Sequence, residues 1–400
     1  MTGFLTIVSV GEAVAAVRRI APVAGVEEIP IEEAAGRILA ADAVADTDIP
    51  GFSRSTVDGF AVRASDTTGA GDAIPAILSF GGRVAMGSGD TPTVGPGGCV
   101  YVPTGGTLPP GSDAVAMTEH AERIGDQVLI RRAVAVGENV LSAGEDFSRG
   151  EIALGKGRYL TPQDVGVLAA TGNARIKVAR MPVAGIISTG NEVVPVTGVP
   201  PAGKVRDINS HLVGAFVMSQ GGLPQFFGIV RDEREPLRKA LKDAVSSCDL
   251  VFVSGGSSKD ERDMTSSLIG EIGEVLVHGI AIAPGKPTII GRAGKVPVIG
   301  LPGHPASAYI VLQVIGTALF REMLGGGPPA CTIRAELAGN VPSARGREEY
   351  VRVKLIEGKA YPVFGKSGLL NTLARSDGII RIPAGSTGLE AGETVEVRRW

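Results

Sequence analysis

The stretch VFVSGGSSKDERDMT, residues 251–265, decides how this chain is read. The apolar, β-branched run Val251-Phe252-Val253 has the composition of a core strand, yet it passes straight into Ser254-Gly255-Gly256 and then into five charged residues, Lys259 to Asp263. A glycine pair at the end of a buried strand lets backbone N–H groups come close to an oxyanion. Carboxylates so near an anion site, here Asp260, Glu261 and Asp263, are unfavourable unless a divalent cation lies between them and the ligand. The other reading is a solvated charged turn ahead of a helix capped by Asp260 or Asp263, and spacing alone supports the two equally.

The surroundings of this stretch repeat strand, loop and helix. Strands are expected at 182–188, 226–230, 250–253, 287–290 and 296–299, and helices at 209–220, 232–247, 264–272 and 306–323. Such alternation predicts a three-layer α/β domain with a largely parallel sheet. In an open parallel sheet, ligands bind outside the carboxyl ends of the strands. The loops expected there span 188–192, 231–232, 254–258, 284–287 and 300–305. Four of the five carry Gly, three carry Ser or Lys, and the last opens a helix, whose N-terminal amides and dipole favour an anion. One such loop is only a turn. Several facing one crevice point to a large polyanionic ligand.

Outside this region the patterns change. Ser9 and Glu12 form a capping box for a helix to Ile20, with Val14, Val17 and Ile20 on one face, and a second short helix is expected at 31–39. Residues 51–144 are rich in Gly, Pro and short alternating runs, which predicts a mostly β domain inserted into a helical one. Thr161-Pro162-Gln163-Asp164 opens a helix that Gly172 stops, and 331–400 alternates like a small β domain. With 400 residues, two to four domains are expected. A net charge of −3 excludes a generally basic nucleic-acid binder. Cys99, Cys248 and Cys331 are too scattered for a disulfide framework and read as reduced core thiols. The most apolar run, 306–320, contains Gln313 and Gly316, so no membrane span is expected. The N-terminus lacks a basic start and cleavage site, so the cytoplasm is the expected compartment. His120, His211 and His278 read as structural or solvent-facing, and only His304 lies in one of the loops.

A set of motifs carries a resemblance. Pro50-Gly51-Phe52, Ser55-Thr56-Val57-Asp58-Gly59-Phe60, Pro103-Thr104-Gly105, Gly111-Ser112-Asp113, Gly137-Glu138-Asn139 and Gly144-Glu145-Asp146 come first. Ser188-Thr189-Gly190-Asn191-Glu192, Ser254-Gly255-Gly256, Pro284-Gly285-Lys286-Pro287 and Gly300-Leu301-Pro302-Gly303 follow. In this order, over essentially the whole chain, they resemble the molybdopterin molybdenumtransferases, the MoeA family, which includes the E domain of gephyrin.

The resemblance implies a multidomain α/β plus β chain in an elongated, L-shaped homodimer. Its expected parts are an extended helical dimerisation domain (1–48 and 147–178) and an inserted mostly-β domain (49–146). A three-layer α/β molybdopterin-binding domain (179–327) and a C-terminal β-barrel-like domain (328–400) complete it. It implies a Mg²⁺-dependent reaction of adenylylated molybdopterin with molybdate, giving molybdenum cofactor and AMP, with a molybdopterin adenylyltransferase as upstream partner. The active site is expected in a dimer cleft, between the α/β domain of one subunit and the inserted β domain of the other.

Carried over by position, Asp58, Thr104, Glu192, Asp263 and Lys286 take catalytic places. Substrate-binding places fall to Ser254, Gly255, Gly256, Ser258 and Lys259, and to Pro302, Gly303, His304, Pro305 and Ser307. Metal-binding places fall to Asp146, Asp232 and Asp263. Asp232 is equally an N-cap, Asp58-Gly59 is by itself an ordinary turn, and Asp146 is a natural partner for a nearby Arg.

The chain departs from the family in its 257–260 loop, where Ser257, Lys259 and Asp260 replace two Val and a Gly. Ala283 stands where a lysine is usual, and His304 where Asn is usual. Lys259, with Arg262 second, is expected to replace the missing lysine, with Asp260 and Asp263 on the metal side. Three functions remain: a molybdate insertase with altered anion recognition, a tungstate-specialised paralogue, or a non-catalytic molybdopterin-binding or scaffolding member. Retention of Asp58, Thr104, Glu192, Asp263 and Lys286 favours an enzyme.

Overall fold

The computed structural model describes residues 7–255 and 259–400, with the side chains of 259–263 outside the described set. The central unit is a six-stranded sheet between helices. Its elements are β1 (Val183–Thr189), α1 (Asn209–Ser219), β2 (Leu223–Val230), α2 (Arg234–Ser247), β3 (Leu250–Ser254) and α3 (Lys259–Ile272). They continue with β4 (Glu274–His278), β5 (Ile289–Ala293), β6 (Val296–Leu301) and α4 (Pro305–Leu324). The sheet order is β2-β1-β3-β6-β5-β4; the first four strands are parallel, β5 pairs antiparallel with β6, and the edge strand β4 pairs antiparallel with β5.

The apolar run of the opening stretch now has a physical reason. Along β3, Phe252 packs into the cluster formed with α1 and α4, while Val251 and Val253 pack into the cluster formed with α2 and α3. Period-2 alternation therefore sends successive side chains into two different cores, and both must be apolar. β4, absent from the sequence expectation, is a half-exposed edge strand with weak patterning.

Helix α4 is long and apolar enough to cross a bilayer by length and composition, and 61% of that window is buried inside the protein. It is the core helix of this domain. Against it packs the N-terminal helix Val10–Ile20, whose buried face, Val10, Ala13, Val17 and Ile20, joins the α1/α4 cluster. Its capping box forms as expected: Glu12 N–H donates to Ser9 Oγ (3.2 Å), and Ser9 N–H donates to Glu12 Oε2 (2.8 Å).

The expected second helix at 31–39 shrinks to one 3₁₀ turn, Ile31–Glu33. Gly36 takes φ +82°, and Ile38 and Leu39 bridge to Tyr159 and Val178, so the backbone there is paired across the chain rather than coiled. The Thr161/Asp164 capping box opens the helix Pro162–Ala170, and Arg158 donates to Asp164 Oδ1 from Nε (2.9 Å). The short pairs Val26–Pro30 with Arg175–Ala179 and Ala43–Val44 with Ile152–Leu154 join it around a small core.

Residues between Gly59 and Ile130 form a second six-stranded sheet, with apolar clusters on both of its faces. The C-terminal strands Thr332–Leu337, Glu348–Ile356, Lys359–Pro362, Gly378–Ile382 and Thr394–Arg399 pair in a closed ring around their own core. This barrel is fastened to the α/β domain where Ile282 and Ala283 pair with Glu348 and Glu349. Cys99 and Cys248 are buried free thiols, whereas Cys331 is exposed, contrary to its reading as a core residue; it sits in the segment just ahead of the first barrel strand.

Candidate functional site

Parallel pairing of β1, β3 and β6 brings three loop starts to one edge of the sheet. A cavity of about 300 Å³ opens there. β1 and its loop contribute Ser188, Thr189 and Glu192, and β3 contributes Ser254 and Gly255. Arg206, Asp207 and Asn209 precede and open α1; Gly303, His304 and Pro305 precede and open α4.

At the end of β3, Gly255 occupies a position that a side chain could not. It holds φ +151°, and a Cβ there would overlap Thr189 Oγ1 and the Thr189 carbonyl. The glycine is demanded by the neighbouring strand end, which lies against it at the cavity wall.

The polar groups of this cavity are only partly satisfied. Buried Asp207 accepts from Ser188 Oγ (3.0 Å) and from Ser210 N–H (3.1 Å) through Oδ1. Asn209 Nδ2 donates to the Gly303 carbonyl (2.8 Å), tying the start of α1 to the loop before α4. Asn209 Oδ1 and Ser254 Oγ, both buried, have no hydrogen-bond partner among the described residues. Each such group costs about 1–3 kcal/mol when left unpaired, so the cavity is built for a ligand that supplies hydrogen bonds.

A second cavity of about 290 Å³ adjoins the first and shares Gly303 and His304 with it. Its polar lining is Lys286, Ser307, Arg347, Ser367 and His304, with no carboxylate among its lining residues. Arg347 and Ser367 come from the barrel; Ser367 Oγ lies 3.1 Å from His304 Nδ1, and Ser367 O accepts from Ala306 N–H (3.3 Å). Two cations, two hydroxyls and no acidic group suit a small oxyanion.

Three family models cover the chain in sequence: the MoeA N-terminal region, domains I and II, over 8–172, a probable molybdopterin-binding domain over 185–322, and the MoeA C-terminal region, domain IV, over 334–400. A putative molybdopterin biosynthesis protein of Methanocaldococcus jannaschii is 35% identical over 93% of this chain and 92% of its own length.

This chain belongs to the MoeA family. A molybdopterin molybdenumtransferase of Bacillus subtilis is 32% identical over 93% of this chain and 89% of its own. A MoeA structure from Pyrococcus horikoshii superposes with a TM-score of 0.88 at 31% identity, over 99% of this chain and 100% of that one. The chain is accordingly a MoeA-fold transferase of molybdenum cofactor biosynthesis.

Within this MoeA chain the expected residues fall into groups. Ser254, Gly255 and Glu192 line the first cavity; Lys286, Pro302 and Ser307 line the second; Gly303 and His304 line both, and Pro305 the first. Asp58 and Thr104, 46 residues apart, meet in the inserted domain: Asp58 Oδ1 accepts from Thr104 N–H (2.7 Å) and from Thr104 Oγ1 (3.1 Å), and both are exposed. Neither they nor exposed Asp146 line the two cavities.

Asp232 does not cap α2. The N-cap is Glu233, without a side-chain bond, while Asp232 Oδ2 accepts from Asn191 N–H (2.8 Å) and ties the β2 loop to the β1 loop. Gly256 and Ser258 lie outside the described residues, as do the side chains of Lys259 and Asp263. The backbone of 259–263 belongs to the first turns of α3, which starts five residues before its expected onset.

The sequence reading missed Arg206, Asp207, Asn209, Arg347, Ser367 and the neighbouring Gly368. The polar run Lys204-Val205-Arg206-Asp207-Ile208-Asn209 just ahead of an apolar helix was a usable signal for the first three. Nothing local marked the barrel residues, which reach the site only through domain packing.

Proposed function

We propose that this chain inserts molybdate into adenylylated molybdopterin with release of AMP, the pterin nucleotide occupying the first cavity and the oxyanion the second. The observation that carries this reading is the shared Gly303–His304 wall, which separates a cavity with unpaired Ser254 Oγ and Asn209 Oδ1 from one with Lys286 and Arg347. An oxyanion beside a bound pterin needs neutralising donors that are already in place, because preorganised donors cost no rearrangement during reaction. Lys286 and Arg347 supply them, and Arg347 offers a second cation where the family's usual lysine is Ala283.

Mg²⁺ fits the donor set as an ion shared with substrate. Among the described residues no three acidic, His or Cys side chains cluster to cage an ion, while Glu192 and Asp207 line the nucleotide cavity. Such an ion is ordinarily held by one or two carboxylates plus substrate phosphates. When bound it would offset phosphate charge during anhydride cleavage. Asp207, held by Ser188 and Ser210, is preset in position, whereas Glu192 is exposed at the mouth.

The exposed Asp58–Thr104 pair is read as the contribution of a second copy, in a homodimer whose inserted domain reaches the partner's sheet edge. The chemistry places an enzyme that adenylylates molybdopterin immediately upstream. The test supplies the protein with adenylylated molybdopterin, Mg²⁺ and either molybdate or tungstate. AMP release and reconstitution of a molybdenum-dependent apoenzyme are then measured. Stoichiometric AMP and active cofactor with molybdate are expected; bound substrate with no AMP above background for either oxyanion would overturn the reading.

A further inference from the structure

A strand of the inserted domain is bent so as to aim an arginine. Strands Ala76–Arg83 and Gly98–Val102 pair in parallel, with Phe80 opposite Cys99 and Arg83 opposite Tyr101, so Gly81 and Gly82 together face the single residue Val100. Gly82 holds φ +122°, a conformation that suits glycine, and such a bulge turns the residues that follow it. Arg83 emerges with its guanidinium carbon 4.6 Å from the centre of the Tyr101 ring. Val84 N–H donates to the Tyr101 carbonyl (2.9 Å) and fixes the two strands at that point. Tyr101 in turn stands edge-on to buried Phe60, with 5.7 Å between ring centroids.

The donors of this arginine are uncommitted. Arg83 is exposed, and beyond the ring contact it forms no ion pair and no side-chain hydrogen bond among the described residues. Arg123, by contrast, stacks on Phe80 at 3.6 Å but spends its Nε on the Gly125 carbonyl (3.0 Å). Stacking on a ring face restrains a long side chain while leaving its planar fork free to donate. The strands that hold this stack also lead to the Asp58–Thr104 pair. Phe60 follows Asp58 by two residues and Tyr101 precedes Thr104 by three, roughly 7–10 Å of extended chain. Beyond Arg83 the chain returns to the same place: Met86 Cε lies 3.7 Å from where a Cβ would stand on Gly105, the residue after Thr104.

We infer that Arg83, seated on Tyr101, is a substrate-binding cation of the inserted domain that takes a phosphate oxygen of the nucleotide beside the Asp58–Thr104 pair. This inference rests on the reading that the pair faces the nucleotide cavity of a second copy. A carboxylate brought against a nucleotide phosphate is unfavourable without a cation between or beside them, and the inserted domain supplies one already oriented.

The experiment compares wild type with Arg83→Gln, Arg83→Lys and Tyr101→Leu. Four quantities are read: AMP affinity by calorimetry at low and high salt, KM for adenylylated molybdopterin, KM for molybdate, and thermal midpoint. For Arg83→Gln the expectation is AMP affinity and nucleotide KM about tenfold poorer, with a weaker salt dependence, at near-constant kcat and molybdate KM. Its midpoint should stay within about 2 °C of wild type, since an exposed stack adds little stability. Arg83→Lys should recover part of the affinity, because charge returns without the planar fork, and Tyr101→Leu should weaken AMP binding severalfold with Arg83 intact. Unchanged AMP affinity and nucleotide KM in Arg83→Gln, whatever its midpoint, would overturn the inference and leave the stack as a surface contact. If Arg83→Gln does not fold, Arg83→Lys is judged by the same readouts. Wild-type turnover in Asp58→Asn would defeat the reading of the pair, whereas lost turnover there with unaltered AMP affinity in Arg83→Gln would defeat the role of Arg83 alone.

Discussion

Asp58 offers the sharpest separation between holding a loop and doing chemistry. Its Oδ1 anchors Thr104, taking both the backbone N–H (2.7 Å) and the hydroxyl (3.1 Å). Hydrogen bonds to a charged acceptor are worth about 1.5–3 kcal/mol when shielded; for this exposed pair about 1 kcal/mol is the appropriate scale. Asp58→Ala should therefore lower the melting temperature by only roughly 4 °C, since no core packing is lost. Asp58→Asn keeps an oxygen acceptor for both Thr104 donors and should melt within about 1 °C of wild type. If the carboxylate charge acts on substrate or its ion, both variants should lose about 10²–10³-fold in AMP release, because the amide cannot replace the charge. AMP release by folded protein and a thermal scan of each variant make the assay. Wild-type turnover in Asp58→Asn, with the loss in Asp58→Ala tracking its melting point, would refute the reasoning and leave Asp58 as a loop anchor.

Three further outcomes are expected. Mixed dimers of Asp58→Ala and Glu192→Ala subunits, each inactive alone, should regain about a quarter of wild-type AMP release, because half of a random mixture is heterodimer with one intact site in two; no recovery would argue that each chain completes its own site. Gly255→Ala should destabilise by about 3 kcal/mol or more in denaturant titration, since the new methyl meets Thr189 at a φ that disfavours a side chain. The Glu348 carboxylate, gripped by Arg381 Nε and Nη2 (both 2.7 Å) and by the Tyr350 hydroxyl (2.9 Å), is held below the usual carboxylate range, with the Arg381 bonds the largest cause. A depressed folded-state pKa contributes stability that is present above the unfolded value and lost as pH falls through the folded one. Stability should therefore drop as pH is lowered below about 4.3, and Glu348→Gln should flatten that part of the curve in acid titrations followed by circular dichroism.

By itself the sequence determined most of the α/β domain and the places where chemistry sits within it. The run 251–253 read as a core strand of a largely parallel sheet, and parallel pairing carried Ser188, Ser254 and Gly303 to one edge, where they were expected. The capping boxes at Ser9 and Thr161 formed because they are local, needing only residues three apart. Local signals also misled. The Asp232 cap did not form, and its carboxylate instead accepts from the Asn191 amide across a loop, a partner invisible to spacing. The 31–39 helix failed because its residues found strand partners more than a hundred positions away. Only the tertiary structure decided which cations face the oxyanion cavity. Arg347 and Ser367 lie in a separate β domain with no motif to mark them, and they meet Lys286 because Ile282 and Ala283 pair with Glu348 and Glu349 across the domain seam. Pairing between distant strands follows from how whole domains bury their surfaces, and no window of neighbouring residues encodes it.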